Sequence, residues 1–287
     1  MLTSRSLGPG RHLKAELFQR TGSFKARGVL NRLATLGPDE RASGVIGVSA
    51  GNHAQALAWG AAEEEIDALV VMWQGASEAK IAATRAYGAA VDLEARNPAE
   101  AFERLHRLRD ESGRVFVHPF DDPVVIAGAG TVGLEILEDV PDVDTVVVSS
   151  GGGGLVAGIA AVCVPAGVRV VAVEPERSNA LQLGVAEGKP VSLTPETVAD
   201  GLTAPFAGVI PIALCRALDV AVELVTEEEI REAFRFLYER AKLAAEPGAA
   251  TAVAAVQSGR VDGETVVVVV SGGNVSAETA SAILAGR

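Results

Sequence analysis

Gly151, Gly152, Gly153 and Gly154 follow one another between two strongly apolar segments, and no other stretch constrains the fold so tightly. Before them, Asp144-Thr-Val-Val-Val-Ser-Ser150 reads as a buried strand. After them, Leu155-Val-Ala-Gly-Ile-Ala-Ala-Val-Cys163 reads as the opening of a packed helix. Residues without a Cβ let the backbone close on an anion. The helix behind them adds unpaired N–H groups and a partial positive charge. A flexible linker of the same composition has polar flanks, and these flanks are core-like. The junction therefore reads as an anion cradle.

The same strand–loop–helix rhythm recurs along the chain. Val45–Ser49, Ala68–Met72, Ala90–Leu93, Val115–Val117, Val168–Val173 and the five valines Val266–Val270 are short β-branched or apolar runs. Helical patterns start near His53, Ser77 and Pro98, and Thr226 with Glu229 forms a capping box before a long amphipathic helix running to Lys242. Unbroken valine runs belong to strands covered on both faces, and alternating βα units imply an open, mostly parallel sheet wrapped by helices. Ligands of such sheets bind beyond the carboxyl ends of the strands.

Composition narrows the function. A net charge of −12 argues against a nucleic-acid surface, which needs clustered Lys and Arg. The apolar run from Leu155 meets Pro165 and Arg169 too soon for a membrane span. Cys163 and Cys215 lie in apolar runs, as free thiols of a reducing cytosol do, so a soluble cytoplasmic protein is expected.

Three strands end in small, hydrogen-bonding loops: Ala50-Gly51-Asn52-His53, the four glycines, and Ser271-Gly272-Gly273-Asn274. Singly these are ordinary turn residues; together they suggest one pocket with a phosphate end and a polar ring-binding end. A competing motif, Gly128-Ala-Gly130-Thr-Val-Gly133, matches the dinucleotide fingerprint literally. Only Val124-Val-Ile126 precedes it as strand-like sequence, and the next strand ends in Ser149-Ser150 rather than an acidic residue. Close packing of a helix start is the expected role of those glycines. Lys25, in Thr21-Gly-Ser-Phe-Lys-Ala-Arg-Gly28, opens a helix expected to continue through Leu33. A lysine is poorly placed at the positive end of a helix dipole, and that field favours the neutral amine needed for nucleophilic chemistry.

These segments resemble the threonine/serine dehydratase branch of the fold-type-II pyridoxal-phosphate enzymes, the branch that also holds the serine racemases. The match runs through Lys14–Gly28, Ser49-Ala-Gly-Asn-His-Ala-Gln55, Val117-His-Pro119 with Ile126-Ala-Gly128, Gly151–Leu155, Thr197-Val-Ala-Asp-Gly201, Glu246-Pro247 and Ser271-Gly-Gly-Asn274. The resemblance implies a two-lobed α/β fold like the tryptophan synthase β subunit, with residues 43–121 as the small domain and 1–42 with 122–287 as the large one. It implies that Lys25 carries pyridoxal 5′-phosphate covalently and later moves the substrate Cα proton. Phe24 packs against the cofactor, Asn52 bonds its 3′-oxygen, and Gly151 to Gly154 with Leu155 hold its phosphate. Ser271 faces the pyridine nitrogen, while Gly201 and Glu246 lie near the ring. Ser49, Ala50, Gly51 and His53 surround the substrate carboxylate.

The implied reaction is dehydration and deamination of L-threonine to 2-oxobutanoate or of L-serine to pyruvate. The alternatives are an amino-acid racemase and a pyridoxal-phosphate-binding protein with little turnover. In the racemases a serine hydroxyl stands where this chain has Ala50, so the dehydratase reading is favoured. No metal is expected, since Arg177 and Leu181-Gln182 replace the family's compact acidic spacing. A family N-terminal helix and the regulatory domain of biosynthetic threonine deaminases are not expected either. The expected partners are an amino-acid substrate and, as one open assembly, a second copy in a homodimer.

Overall fold

A computed structural model describes residues 1–286. Its strands are β1 Leu2–Thr3, β2 Arg11–Ala15, β3 Val45–Val48, β4 Ala68–Trp73, β5 Ala90–Ala95, β6 Val115–Phe116, β7 Thr145–Ser149, β8 Arg169–Pro175, β9 Ala221–Val225 and β10 Val266–Val270. The helices are α1 Lys25–Ala34, α2 Pro38–Ser43, α3 Asn52–Glu63, α4 Glu78–Ala86, α5 Pro98–Ser112 and α6 Pro123–Asp139. They continue as α7 Gly154–Cys163, α8 Ala180–Glu187, α9 Val209–Ala217, α10 Glu227–Glu239, α11 Pro247–Gln257 and α12 Ala277–Leu284. The chain forms two compact units, one of Met1–Phe18, Gly22–Phe24 and the chain from Ala129 onward, the other of Gln19–Thr21 and Lys25–Gly128.

The larger unit is built on a six-stranded sheet of order β1-β2-β10-β7-β8-β9, parallel except for β1 against β2. The five valines of β10 are fully buried at its centre, as an unbroken apolar run requires. On one face Val147, Val268 and Val270 pack with Phe234, Ala250 and Val253 of α10 and α11. The smaller unit holds a parallel sheet of order β5-β4-β3-β6. One face packs Val45, Val70 and Met72 against Leu57, Val29 and Leu33; the other packs Ile46 and Val71 against Ala101 and Leu105.

All four strands of the smaller sheet fall within the expected 43–121, but the compact unit reaches further in both directions. Its extension has a packing cause. Gly60 of α3 lets α1 approach so closely that a Cβ there would stand 3.0 Å from Val29 Cγ1. Gly128 likewise brings α6 within 2.6 Å of the Arg27 carbonyl oxygen, measured from the Cβ it lacks.

One local expectation is corrected. Val124-Val-Ile126 is not strand but the first turn of α6. Asp122 Oδ1 accepts the N–H groups of Val124 at 2.7 Å and Val125 at 3.1 Å, and Pro123 pre-sets the helical φ. The G-x-G-x-x-G sequence thus lies inside a helix. Strands β1, β2 and β9, which the apolar runs did not indicate, sit toward the edges of the large sheet.

Candidate active site

In the larger unit the strand ladder runs one residue past β7, where Ser150 N–H donates to the Val173 carbonyl at 2.8 Å. The four glycines then turn into α7 through walls that exclude side chains. A Cβ on Gly151 would lie 3.1 Å from Leu202 Cα, and one on Gly153 would lie 2.7 Å from Pro211 Cβ. Gly153 also adopts φ +89°, which a Cβ disfavours. No side chain caps α7, whereas Asn97, Thr226 and Ser276 cap α5, α10 and α12. The first N–H groups of α7, with buried Leu155 among them, thus have no side-chain cap, a helix start of the kind that suits an anion.

A chain of contacts joins this loop to the other sequence-predicted residues of the unit. Leu202, against Gly151, follows Gly201, which is exposed and stands with its absent Cβ 3.6 Å from Glu246 Oε1. Glu246 is buried; its N–H donates to the Gly272 carbonyl at 3.0 Å, and its Oε2 accepts the Asn274 N–H at 3.2 Å. Next to Gly272, Ser271 is buried, and its carbonyl accepts the Phe24 N–H at 3.0 Å. The chain passes into the smaller unit immediately after Phe24.

There, Lys25 is the first residue of α1, and its Nζ donates to the Pro119 carbonyl at 2.5 Å. Ser49, Ala50 and Gly51 form a half-buried loop after β3, in which Ser49 Oγ accepts the Gly51 N–H at 3.1 Å. Asn52 and His53 open α3, which also starts without a side-chain cap. His53 is 2% exposed, and its Nε2 lies 2.9 Å from the Val117 carbonyl. A carbonyl only accepts, so Nε2 carries the proton. Burial first, and the charge of Lys25 second, push the His53 pKa down to about 3. The ring is therefore neutral, and Nδ1 presents a bare lone pair with no partner among the described residues. His118 differs: its Nδ1 accepts N–H groups from Asp121 at 2.8 Å and Phe120 at 3.3 Å. Burial is the main cause that lowers its pKa to about 4.

Two buried hydroxyls are also without partners among the described residues: Ser23 Oγ, two residues before Lys25, and Ser150 Oγ, directly before the glycines. Orphaned buried polar atoms are rare in native structures, and these stand in the segments already singled out. Pyridoxal phosphate asks for an anion cradle, an amine and a donor for its ring nitrogen. The tetraglycine turn, Lys25 and Ser271 are residues of those types, so the chain fits the group.

Residues 2–272 match the family model described as pyridoxal-phosphate dependent enzyme. This chain belongs to that family. It is 44% identical over 254 residues to an L-threonine ammonia-lyase of Thermotoga maritima, covering 85% of this chain and 62% of the relative's length, less than two thirds. Among solved structures, the processed threonine deaminase isoform 2 of Solanum lycopersicum superposes with a TM-score of 0.92 at 33% identity, covering 98% of this chain and 80% of that one. Maize serine racemase follows at 0.91 and 33%, covering 97% and 88%. The fold is that of the fold-type-II pyridoxal-phosphate enzymes, and the cofactor is pyridoxal phosphate. No helix among the described residues is long and apolar enough to cross a membrane.

Sequence reasoning did not reach the Pro119 carbonyl on Lys25, the Val117 carbonyl that fixes the His53 tautomer, or Ser150. The first two are backbone groups and leave no mark in a sequence. Ser150 carries a side chain, but a serine at a strand end is ordinary turn chemistry.

Proposed function

We propose that this pyridoxal-phosphate enzyme is an ammonia-lyase of hydroxy amino acids, converting L-threonine to 2-oxobutanoate or L-serine to pyruvate with release of ammonia. The observation that carries the reading is the uncapped glycine turn into α7, joined through Leu202, Gly201, Glu246 and Gly272 to Ser271. Its support from outside is the likeness to the Thermotoga ammonia-lyase and the tomato deaminase. When bound, pyridoxal phosphate supplies the electron sink that acidifies the amino acid's Cα–H.

The protein's own groups do the rest. Gly151 to Gly154 and Leu155 bind phosphate oxygens through backbone N–H groups. Phe24 packs against the cofactor, Asn52 donates to its 3′-oxygen, and Gly201 and Glu246 border the ring. Ser271 would meet the ring nitrogen with a hydroxyl, a group that does not force a proton onto it as a carboxylate would. Lys25 takes the Cα proton. The substrate carboxylate is received by the Ser49-Ala50-Gly51 loop and the uncapped start of α3. His53 Nδ1, lacking a proton, can only accept, so it orients a substrate N–H or O–H.

Likeness to maize serine racemase makes inversion the second reading. Inversion would need an acid–base group on each face of the substrate Cα, and Lys25 supplies only one. The methyl of Ala50 neither gives nor takes a proton. A cytoplasmic setting suits the thiols of Cys163 and Cys215, which are buried, free, and pushed by that burial up to about 11 and about 12.

Incubation with L-serine or L-threonine followed by 2-oxo acid assay, ammonia assay and chiral chromatography tests the proposal. Equal amounts of oxo acid and ammonia, with little D-isomer, are expected, and Ala50→Ser should introduce measurable inversion. Rapid D-serine formation by the unmodified protein would replace the lyase with a racemase. Ser271→Ala should lower turnover yet keep the borohydride-fixed label on Lys25.

A further inference from the structure

We infer that Ser150 is a further ligand of the cofactor, its hydroxyl donating a hydrogen bond to a phosphate oxygen. The inference rests on the reading of the four glycines as the phosphate cradle. Ser150 is 2% exposed, and its Oγ has no partner among the described residues. A hydroxyl buried in that way is costly, and buried polar groups in native proteins are ordinarily hydrogen-bonded. Ser23 Oγ, two residues before Lys25, is bare as well, whereas the carboxylates keep partners: Asp144 receives two N–H groups on Oδ2, and Glu227 receives the Val198 N–H on its Oε2. Ser150 has a single polar side-chain atom, and it is left bare.

Sheet register says where that hydroxyl is aimed. Val269 lies level with Val148, and continuing the register sets Val270 beside Ser149 and Ser271 beside Ser150. On its other side β7 stays extended for the same residue, since Ser150 N–H still bonds the Val173 carbonyl of β8. Level residues on neighbouring strands point to one face, and successive residues alternate. Ser149 points to the α11 face, where its Oγ accepts the Ala252 N–H at 3.0 Å, and Val270 packs in the same core. Ser150 and Ser271 therefore share the opposite face, at the carboxyl edge of the sheet. Ser150 stands between Ser271 and the turn that begins at Gly151.

The partner atom follows from counting lone pairs. A pyridine nitrogen accepts one hydrogen bond, and Ser271 takes it. Phosphate oxygens offer many sites, and the cradle that receives them starts on the next residue. A serine hydroxyl donating to a phosphate makes a charge-assisted bond, stronger than a neutral one.

The two states of the protein give the test opposite signs. In the apoenzyme Ser150→Ala removes a buried, unsatisfied hydroxyl, so the variant should melt higher than apo wild type. Pyridoxal phosphate should then bind about tenfold more weakly, the size of one hydrogen bond to a charged group. Binding is read by titrating the visible absorbance of the apoenzyme, and the ³¹P resonance of bound cofactor should shift. Ser150→Cys, with a weak donor of similar shape, should fall between the two. Unchanged affinity in Ser150→Ala, or a lower apo melting temperature without an affinity loss, overturns the assignment. Failure of the wild type to bind pyridoxal phosphate on Lys25 would instead overturn the cradle reading itself, and Ser150 with it.

Discussion

Two glycine-rich segments of similar composition do opposite work in this molecule. Gly128, Gly130 and Gly133 lie within α6 and are filled in by neighbours: a Cβ on Gly130 would stand 2.8 Å from the Gly158 carbonyl oxygen, and one on Gly133 3.2 Å from Cys163 Sγ. Gly151 to Gly154 lie at a strand end and keep backbone donors open. In α6 the missing side chain admits another helix; at α7 it is proposed to admit a ligand. What separates them is not the spacing of glycines but whether the N–H groups beside them are already used. Inside a helix they are bound to carbonyls four residues back, so no anion can claim them.

The largest effect should come from filling the packed segment. Gly130→Val pushes a branched side chain into the backbone of α7, which cannot give without moving the helix. A loss of about 3 kcal/mol in urea unfolding is expected, with cofactor affinity per folded molecule unchanged. If the variant bound pyridoxal phosphate poorly while staying stable, α6 would be part of the site and the contrast would fail.

Next comes the open segment. Gly153→Ala places a Cβ at φ +89° and against Pro211, and the turn relieves both by shifting. The cradle N–H groups shift with it, so affinity for pyridoxal phosphate should fall on the order of a hundredfold. Equilibrium dialysis of the apoenzyme measures this; wild-type affinity would mean the turn does not hold the phosphate.

The histidines repeat the contrast, one closed and one open. Both folded-state pKa values, about 3 for His53 and about 4 for His118, lie below the ordinary value of 6.5. Below pH 6.5 the unfolded chain therefore binds protons that the folded one refuses. Stability is present in full above 6.5 and is lost progressively as pH falls from 6.5 toward the folded values of about 4 and about 3. His53→Gln keeps a donor for the Val117 carbonyl and removes one titration, so the stability lost between pH 7 and pH 5 should shrink by about 2 kcal/mol. An unaltered pH dependence would show that His53 is already charged in the fold.

Which of these features could be read from the sequence depends on whether a side chain or a partner carries the signal. The valine strands β7 and β10 and the Thr226 box were legible because burial on two faces and capping each demand particular residue types. Strand β2, Arg11-His-Leu-Lys-Ala15, was not, since Arg11, His12 and Lys14 mask a half-buried strand next to the sheet edge. The glycine turn from a buried strand into a packed helix was legible by its flanks. The unpaired state of Ser150 and the bare Nδ1 of His53 were not, because a missing partner is a property of the folded surroundings alone.

The smallest expected effect sharpens the comparison at helix starts. Thr226 Oγ accepts the Glu229 N–H at 3.2 Å, and Glu229 Oε2 accepts the Thr226 N–H at 2.7 Å, so this end of α10 is closed by its own side chains. Thr226→Ala removes one acceptor and leaves the Glu229 half of the box, along with the Arg260 ion pair to Glu229 at 2.6 Å. Loss of an N-cap costs about 1 kcal/mol, and nothing about α10 should reach the cofactor. Thermal unfolding should therefore drop slightly while the affinity for pyridoxal phosphate and the oxo-acid rate stay at wild-type values. At α7 no side chain closes the helix, and the proposed cradle leaves its first N–H groups to be stabilised by the cofactor's phosphate. Added pyridoxal phosphate should accordingly raise the melting temperature of Thr226→Ala as much as that of the wild type, and that of Gly153→Ala far less. Equal gains in all three proteins would place the phosphate somewhere other than the start of α7.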